Sequence, residues 1–238
     1  MRRFSLCMSY SLTTRCYAAR VKLWGKSSNA RLARLPRKLP AAPRQAEIEA
    51  IAETTNAIGA QPLAPEYDLP DTFSPDEVRS PSSQGDLYAY LVAERDPQVV
   101  VEFGSAFGVS GMYFATALRQ GRLYSFEINP KWADIAERNI KTITDHFSLI
   151  RGAFEDHVDD IPAPIDIALV DGIHDYDFVM KQWEILKPRM SPGGLVLFDD
   201  ITYCAGMRKA WREIRADPAV AASVARWHRL GIVELALV

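Results

Sequence analysis

Val99-Val-Val-Glu-Phe-Gly-Ser-Ala-Phe-Gly-Val-Ser-Gly111 joins an apolar run closed by an acid to a turn with three glycines inside eight residues, and a helical pattern follows. Val99, Val100 and Val101 suit a strand covered on both faces. Gly104, Gly108 and Gly111 mark points where the backbone turns sharply or approaches a neighbour closely. The stretch therefore reads as a buried strand feeding a turn that cradles a ligand, and the segments on either side decide what kind of sheet holds it.

Downstream, strand and helix patterns alternate with little interruption. Met112 to Gln120 is helical and stops at Gly121, the place of a C-terminal cap. Arg122 to Ile128 is a strand; Asn129-Pro130 supplies an N-cap and a first-turn proline for the helix that runs to Ile140. Phe147 to Gly152 and Ile165 to Val170 are strands three and four, the latter apolar except for Asp166. Tyr176 to Leu186 is a helix, with Asp175 and Asp177 at its start. Gly194 to Phe198 is the fifth strand, Gly206 to Ala216 a helix, and Val224 to Arg229 with Ile232 to Val238 an antiparallel hairpin turning at Leu230-Gly231. Trp183 and Trp211 fall at core spacing on their helices. Such alternation predicts an α/β fold: a doubly wound, mostly parallel sheet of seven strands with a C-terminal antiparallel hairpin, binding its ligand at the carboxyl ends of the strands.

Upstream, residues 1–45 carry eleven Lys/Arg and no Asp/Glu, which leaves 17 basic against 30 acidic residues in the remainder and hides beneath a net charge of −2. This leader reads as a flexible or loosely docked basic extension, or as an organellar transit segment in an otherwise cytoplasmic protein. The acidic body argues against nucleic acid or an anionic membrane as partner, and for small-molecule chemistry. Cys7, Cys16 and Cys204 are too scattered for a disulfide framework or a zinc site. Residues 46–84 hold a short helix, Gln45 to Ile58, and a proline-rich, lid-like segment from Leu63 to Pro81; residues 85–238 form the ligand-binding domain, opening with a helix from Gly85 to Glu94. A homo-oligomer is compatible with this pattern.

At successive strand ends stand Glu102, Glu127, Gly152-Ala153-Phe154, Asp171 with His174, and Asp199-Asp200. Acids gathered at one sheet edge are costly to desolvate unless they bind hydroxyls, cations or a metal. The spacing of Gly104, Gly108 and Gly111 lacks the central glycine of a dinucleotide turn, having Ala106 there, which disfavours an NAD(P)-dependent oxidoreductase; a non-catalytic cofactor-binding module is the other alternative.

The segment Val101-Glu-Phe-Gly-Ser-Ala-Phe-Gly-Val-Ser110 resembles motif I of the class I S-adenosylmethionine-dependent methyltransferases, and the resemblance extends over roughly residues 75–238. It implies that Glu102, Gly104, Ser105, Ala106, Phe107, Gly108 and Ser110 surround the cofactor. By the same resemblance Glu127 of Tyr124-Ser-Phe-Glu-Ile128 binds the ribose hydroxyls, and Ala153 and Phe154 flank adenine. Read without it, Glu127 is a helix-start acid and Phe154 a core aromatic.

A closer resemblance is to the metal-dependent O-methyltransferases related to catechol O-methyltransferase, carried by Val170-Asp-Gly-Ile-His-Asp-Tyr176 and Pro192-Gly-Gly-Leu-Val-Leu-Phe-Asp-Asp200. It implies a Mg²⁺ or other divalent cation on Asp171, Asp199 and Asp200, methyl transfer to a hydroxyl of a small molecule, and contact of Asp171 with the cofactor. Catechol-type members carry a base lysine three residues after the first Asp, where this chain has His174. His174 then acts as base, ligates the metal or ties its loop. Asp199-Asp200 alternatively form a turn and helix-cap pair.

Overall fold

The computed structural model describes residues 22–25, 32, 35–63 and 72–237. The expectations for Cys7, Cys16 and most of the basic leader lie outside them. Five parallel strands form the centre of one sheet: β4 (Val99–Phe103), β5 (Arg122–Glu127), β6 (Phe147–Arg151), β7 (Ile165–Val170) and β8 (Met190–Phe198). An antiparallel hairpin, β9 (Val220–Arg226) and β10 (Leu230–Leu235), continues it, giving the order β9-β10-β8-β7-β4-β5-β6. This is the expected doubly wound, mostly parallel seven-stranded sheet with its C-terminal hairpin, and the basic leader adds to it. Lys22–Gly25 (β1) pairs antiparallel with β9 as an eighth strand, and Leu32, fully buried, donates its amide to Glu234. Two short strands, β2 (Gln61–Pro62) and β3 (Thr72–Phe73), make a separate ribbon.

The chain leaves β4 in one direction to build β5 and β6 and returns on its other side with β7 and β8. That reversal puts the switch point, where doubly wound sheets bind ligands, between the carboxyl ends of β4 and β7. All five residues of β4 are buried, Glu102 included. Burying a valine contributes about 1.5–3 kcal/mol, so Val99, Val100 and Val101 together offset enclosing one carboxyl group, provided that group stays close to its neutral form. Asp166, the one polar residue of β7, is structural: its carboxylate accepts the amides of Gln98 and Val99 and the hydroxyl of Ser191, pinning the start of β4.

Helices α1 (Gln45–Asn56), α3 (Ser82–Arg95) and α4 (Val109–Ala115) cover one face around Leu87, Tyr88, Tyr113 and Phe114, while α7 (Tyr176–Leu186) and α8 (Ala205–Ile214) cover the other around Trp183, Phe198 and Trp211. Single-turn α2 (Pro75–Val78) and α6 (Phe154–His157) border the sheet edge, and α5 (Pro130–Lys141) begins as expected, with the Asn129 side chain accepting the Lys131 and Trp132 amides. Asp175 likewise caps α7. No described helix is long and apolar enough to cross a membrane.

Two expectations need correction. Helix α4 ends at Ala115, well before Gly121, so Gly121 caps nothing; a Cβ there would lie 2.1 Å from the Pro97 carbonyl oxygen, and glycine is present because that backbone passes so close. The hairpin turns at Trp227-His228, both with positive φ (52° and 57°), closed by the Arg229 amide on the Arg226 carbonyl. Gly231 instead lies in β10, where a Cβ would sit 2.7 Å from the Trp211 ring.

Candidate functional site

The glycine turn forms the floor of a cleft at the switch point. Gly104 (φ 81°) and Ser105 both donate their amides to the Phe126 carbonyl, which ties the turn to the end of β5. A Cβ on Gly104 would lie 2.3 Å from the Asp171 carbonyl oxygen, so β4 and the end of β7 meet at a separation that only glycine permits. Gly108, also left-handed, then opens α4. The cleft is lined by residues 104–107, Val109, Ser110 and Asp171, with residues 78–80 closing over it from the lid-like segment. Arg79 in that closing loop is held by Glu49 and Asp76.

Glu127 stands at the end of β5 beside the turn. Its two carboxylate oxygens accept the amides of Ala106 (2.7 Å) and Asn129 (2.8 Å). Burial pushes this carboxyl up to about 7 against the opposing pull of those amides. Glu102 lies one layer deeper, fully buried. Burial raises its pKa, and the hydroxyls of Ser110, Ser125 and Ser105 around it oppose that rise. Ser125 donates to Oε2, whereas Oε1 has no partner among the described residues. Glu102 is thus caged by serines, not by the amides of the turn.

Two aromatic residues stand apart from the cleft's chemistry. Phe154 was expected to flank adenine with its ring; the ring instead stacks on Phe103 at 3.8 Å and meets Phe126 edge-on, inside the core. Ala153 precedes it as the N-cap of α6 and leaves only backbone at that edge. Phe107 is buried against Trp132, so the turn offers its backbone there as well.

Across the switch point the remaining candidates form a chain of alternating charge. His174 Nε2 lies 3.3 Å from Asp171 Oδ1, and its Nδ1 lies 3.6 Å from Asp200 Oδ2. Asp199, with no solvent exposure, is gripped by Arg229, whose Nε lies 3.0 Å from Oδ1 and Nη2 2.7 Å from Oδ2; the same Nε is 3.1 Å from Asp200 Oδ1. Burial, then the Asp199 charge, pushes Asp171 up to about 7. For His174 burial acts downward, but Asp171 and Asp200 outweigh it and hold the ring above its usual value. Burial would raise Asp199 too, yet the guanidinium holds it below the usual carboxylate range, while burial and Asp199 raise Asp200.

This arrangement does not fit the expected divalent cation. Mg²⁺ needs several oxygens converging at about 2.0–2.1 Å in octahedral array. Here both oxygens of Asp199 are taken by the Arg229 guanidinium, which also lies 3.1 Å from Asp200 Oδ1, while Asp171 Oδ1 lies 3.3 Å from His174 Nε2, a buried nitrogen with no hydrogen-bond partner among the described residues. Among the described residues no group of three or more His, Cys, Asp or Glu side chains is disposed to hold a metal. Arg229 is the site residue that sequence reasoning missed. Placing the turn on Leu230-Gly231 put Arg229 inside a strand; with the turn at Trp227-His228 it is the first residue beyond, aimed at the loop after β8.

Comparison with known proteins gives the site its relatives. Residues 101–201 match the family model described as a methyltransferase domain. Among curated proteins the chain is 24% identical over 170 residues to a catechol O-methyltransferase of Mycobacterium tuberculosis, covering 69% of this chain and 76% of that one. It is 24% identical over 133 residues to a rhamnosyl O-methyltransferase of Mycobacterium leprae, covering 52% and 58%. A third relative, protein y4gI of Sinorhizobium fredii, is 29% identical over 150 residues, 56% of this chain and 16% of that one. The chain therefore spans less than two thirds of the length of two of these three. Its fold matches the O-methyltransferase TomG of Streptomyces achromogenes, crystallised with SAM, at TM-score 0.61 and 20% identity over 79% of this chain and 90% of the other.

Proposed function

We propose that the chain transfers the sulfonium methyl group of S-adenosylmethionine to a hydroxyl oxygen of a small molecule, a reading supported by the match of residues 101–201 to a methyltransferase-domain model. One observation carries this reading: Asp171 lines the same cleft as the glycine turn while pairing with His174. A cofactor seated on the turn and a proton acceptor for the substrate thus share one wall. The names of the catechol and rhamnosyl relatives, both O-methyltransferases, support oxygen as the acceptor atom.

In the proposed reaction a hydroxyl oxygen attacks the methyl carbon as the carbon–sulfur bond breaks, and sulfur keeps the electron pair as a neutral thioether. The hydroxyl proton passes to Asp171, whose carboxyl burial and the Asp199 charge push up to about 7, with His174 beside it. Glu127, when ionised, accepts the two ribose hydroxyls. Arg79 and Ser80 close the cleft and exclude water. No step is assigned to a divalent cation.

Calorimetric titration tests the assignment. S-adenosylhomocysteine is expected to bind and NADH to leave the protein unaffected; binding of NADH alone overturns the reading. The pH dependence follows from Glu127, which must be a carboxylate to accept two hydroxyl protons. With its carboxyl at about 7 in the free protein, affinity should rise about tenfold between pH 6 and pH 8. Glu127→Gln should bind more weakly with a flat profile over that window. An unchanged slope in that variant would assign the titration to Asp171 and remove Glu127 from the ribose.

A further inference from the structure

We propose that the guanidinium of Arg229 supplies, from within the chain, the positive charge that a divalent cation would bring to Asp171, Asp199 and Asp200, so that the site operates without a metal. The inference rests on the methyltransferase reading only for what the site does, not for how its charges are balanced.

A carboxylate with no solvent exposure must be paired, and Asp199 is paired on both oxygens by one arginine in the forked geometry that carboxylates prefer. The same guanidinium reaches Asp200, and His174 spans the remaining gap from Asp200 to Asp171. Each of the three acids therefore already faces a nitrogen that carries or can carry a proton. A divalent ion entering there would have to displace the arginine from the oxygens it needs, with a fixed positive charge beside it.

Arg229 is also held in place by its backbone. Its carbonyl accepts the Ile201 amide, and the neighbouring His228 carbonyl accepts the Thr202 hydroxyl, so the β9–β10 turn is stitched to the loop immediately after Asp199-Asp200. The turn takes a left-handed backbone at both Trp227 and His228, uncommon for a bulky tryptophan, and this geometry delivers Arg229 to the acids. Arg229 acts through the carboxylates it orients and is a positioning residue.

Mn²⁺ is the probe, counted by the electron paramagnetic resonance of the free ion, with circular dichroism as the control for folding. Wild-type protein and Arg229→Lys, which keeps the charge, should take up no stoichiometric Mn²⁺ at millimolar concentration. Arg229→Ala should gain a site at least about tenfold tighter, because the repelling charge is gone. That new site should vanish when Asp171→Asn is added. A stoichiometric Mn²⁺ site in the wild type that Asp171→Asn removes overturns the proposal. So does a folded Arg229→Ala that acquires no site. Should Arg229→Ala not fold, Arg229→Gln, which retains a planar donor for Asp199, takes its place, and the wild-type titration stands as a test alone. A failure of S-adenosylhomocysteine to bind would sink the methyltransferase reading and leave these metal results to be judged separately.

Discussion

Gly104→Ala is expected to weaken S-adenosylhomocysteine binding more than about 100-fold and to destabilise the fold by about 2–5 kcal/mol. Two penalties coincide at this residue. Its φ of 81° lies where a side chain is strained, and the added Cβ would stand 2.3 Å from the Asp171 carbonyl oxygen and 2.9 Å from its carbon. Those are backbone atoms at the end of β7, which cannot rotate aside as a side-chain tip can. Relief requires β4 and β7 to part at their carboxyl ends, the place where the cleft, Asp171 and the His174 pair are assembled. Gly172→Ala, next to Asp171 in the loop after β7, is the matched control: nothing lies within 4 Å of its added Cβ, and its effect should stay within about 0.5 kcal/mol. Urea denaturation and calorimetry of the two variants give the comparison. Equal behaviour of Gly104→Ala and Gly172→Ala would mean that the turn is not the rigid floor described above.

The contrast between what the sequence revealed and what it concealed follows the physics of each element. The parallel strands were legible because strands buried on both faces are continuous apolar runs, and the helices between them carry caps such as Asn129 and Asp175 that can be read directly. The strand-end acids were legible for the complementary reason: a carboxylate closing a buried strand is conspicuous. Long-range choices were not. Whether Phe154 faces adenine or stacks on Phe103 depends on β4 lying beside it, and no local pattern distinguishes the two. Gly121 and Gly231 were misread as a cap and a turn because glycine marks close approach as readily as it marks bends, and the approaching groups, Pro97 and the Trp211 ring, are remote or on another element. The error at Gly231 displaced the turn and with it Arg229. A metal site inferred from three acids is a statement about carboxylates alone, and its outcome turned on one arginine that comes about thirty residues after the last of them.

That arginine leads to a second large effect, an asymmetry within one ion pair. Arg229→Ala leaves Asp199 as a carboxylate with no solvent exposure and no partner, which should destabilise the fold by about 3–5 kcal/mol. Asp199→Asn leaves the other partner stranded, but Arg229 is 42% exposed, can be hydrated and still meets Asp200, so about 1 kcal/mol is expected. The pH dependence separates this from a simple loss of packing. In the wild type, Arg229 holds the Asp199 pKa below its unfolded value, so the pair's contribution is present above that unfolded value and fades as pH falls through the folded one. In Arg229→Ala, burial without the guanidinium drives the Asp199 pKa above the unfolded value, and the carboxyl is penalised at neutral pH and relieved on protonation. The gap between wild type and Arg229→Ala should therefore be widest near pH 7 and narrow at pH 4, measured by urea denaturation at both. Adding Asp199→Asn to Arg229→Ala removes the stranded charge and should recover part of the lost stability, a coupling that independent sites would not show. A double variant as unstable as the sum of its singles, with a gap that ignores pH, would reduce Arg229 to ordinary packing and withdraw the electrostatic role assigned to it.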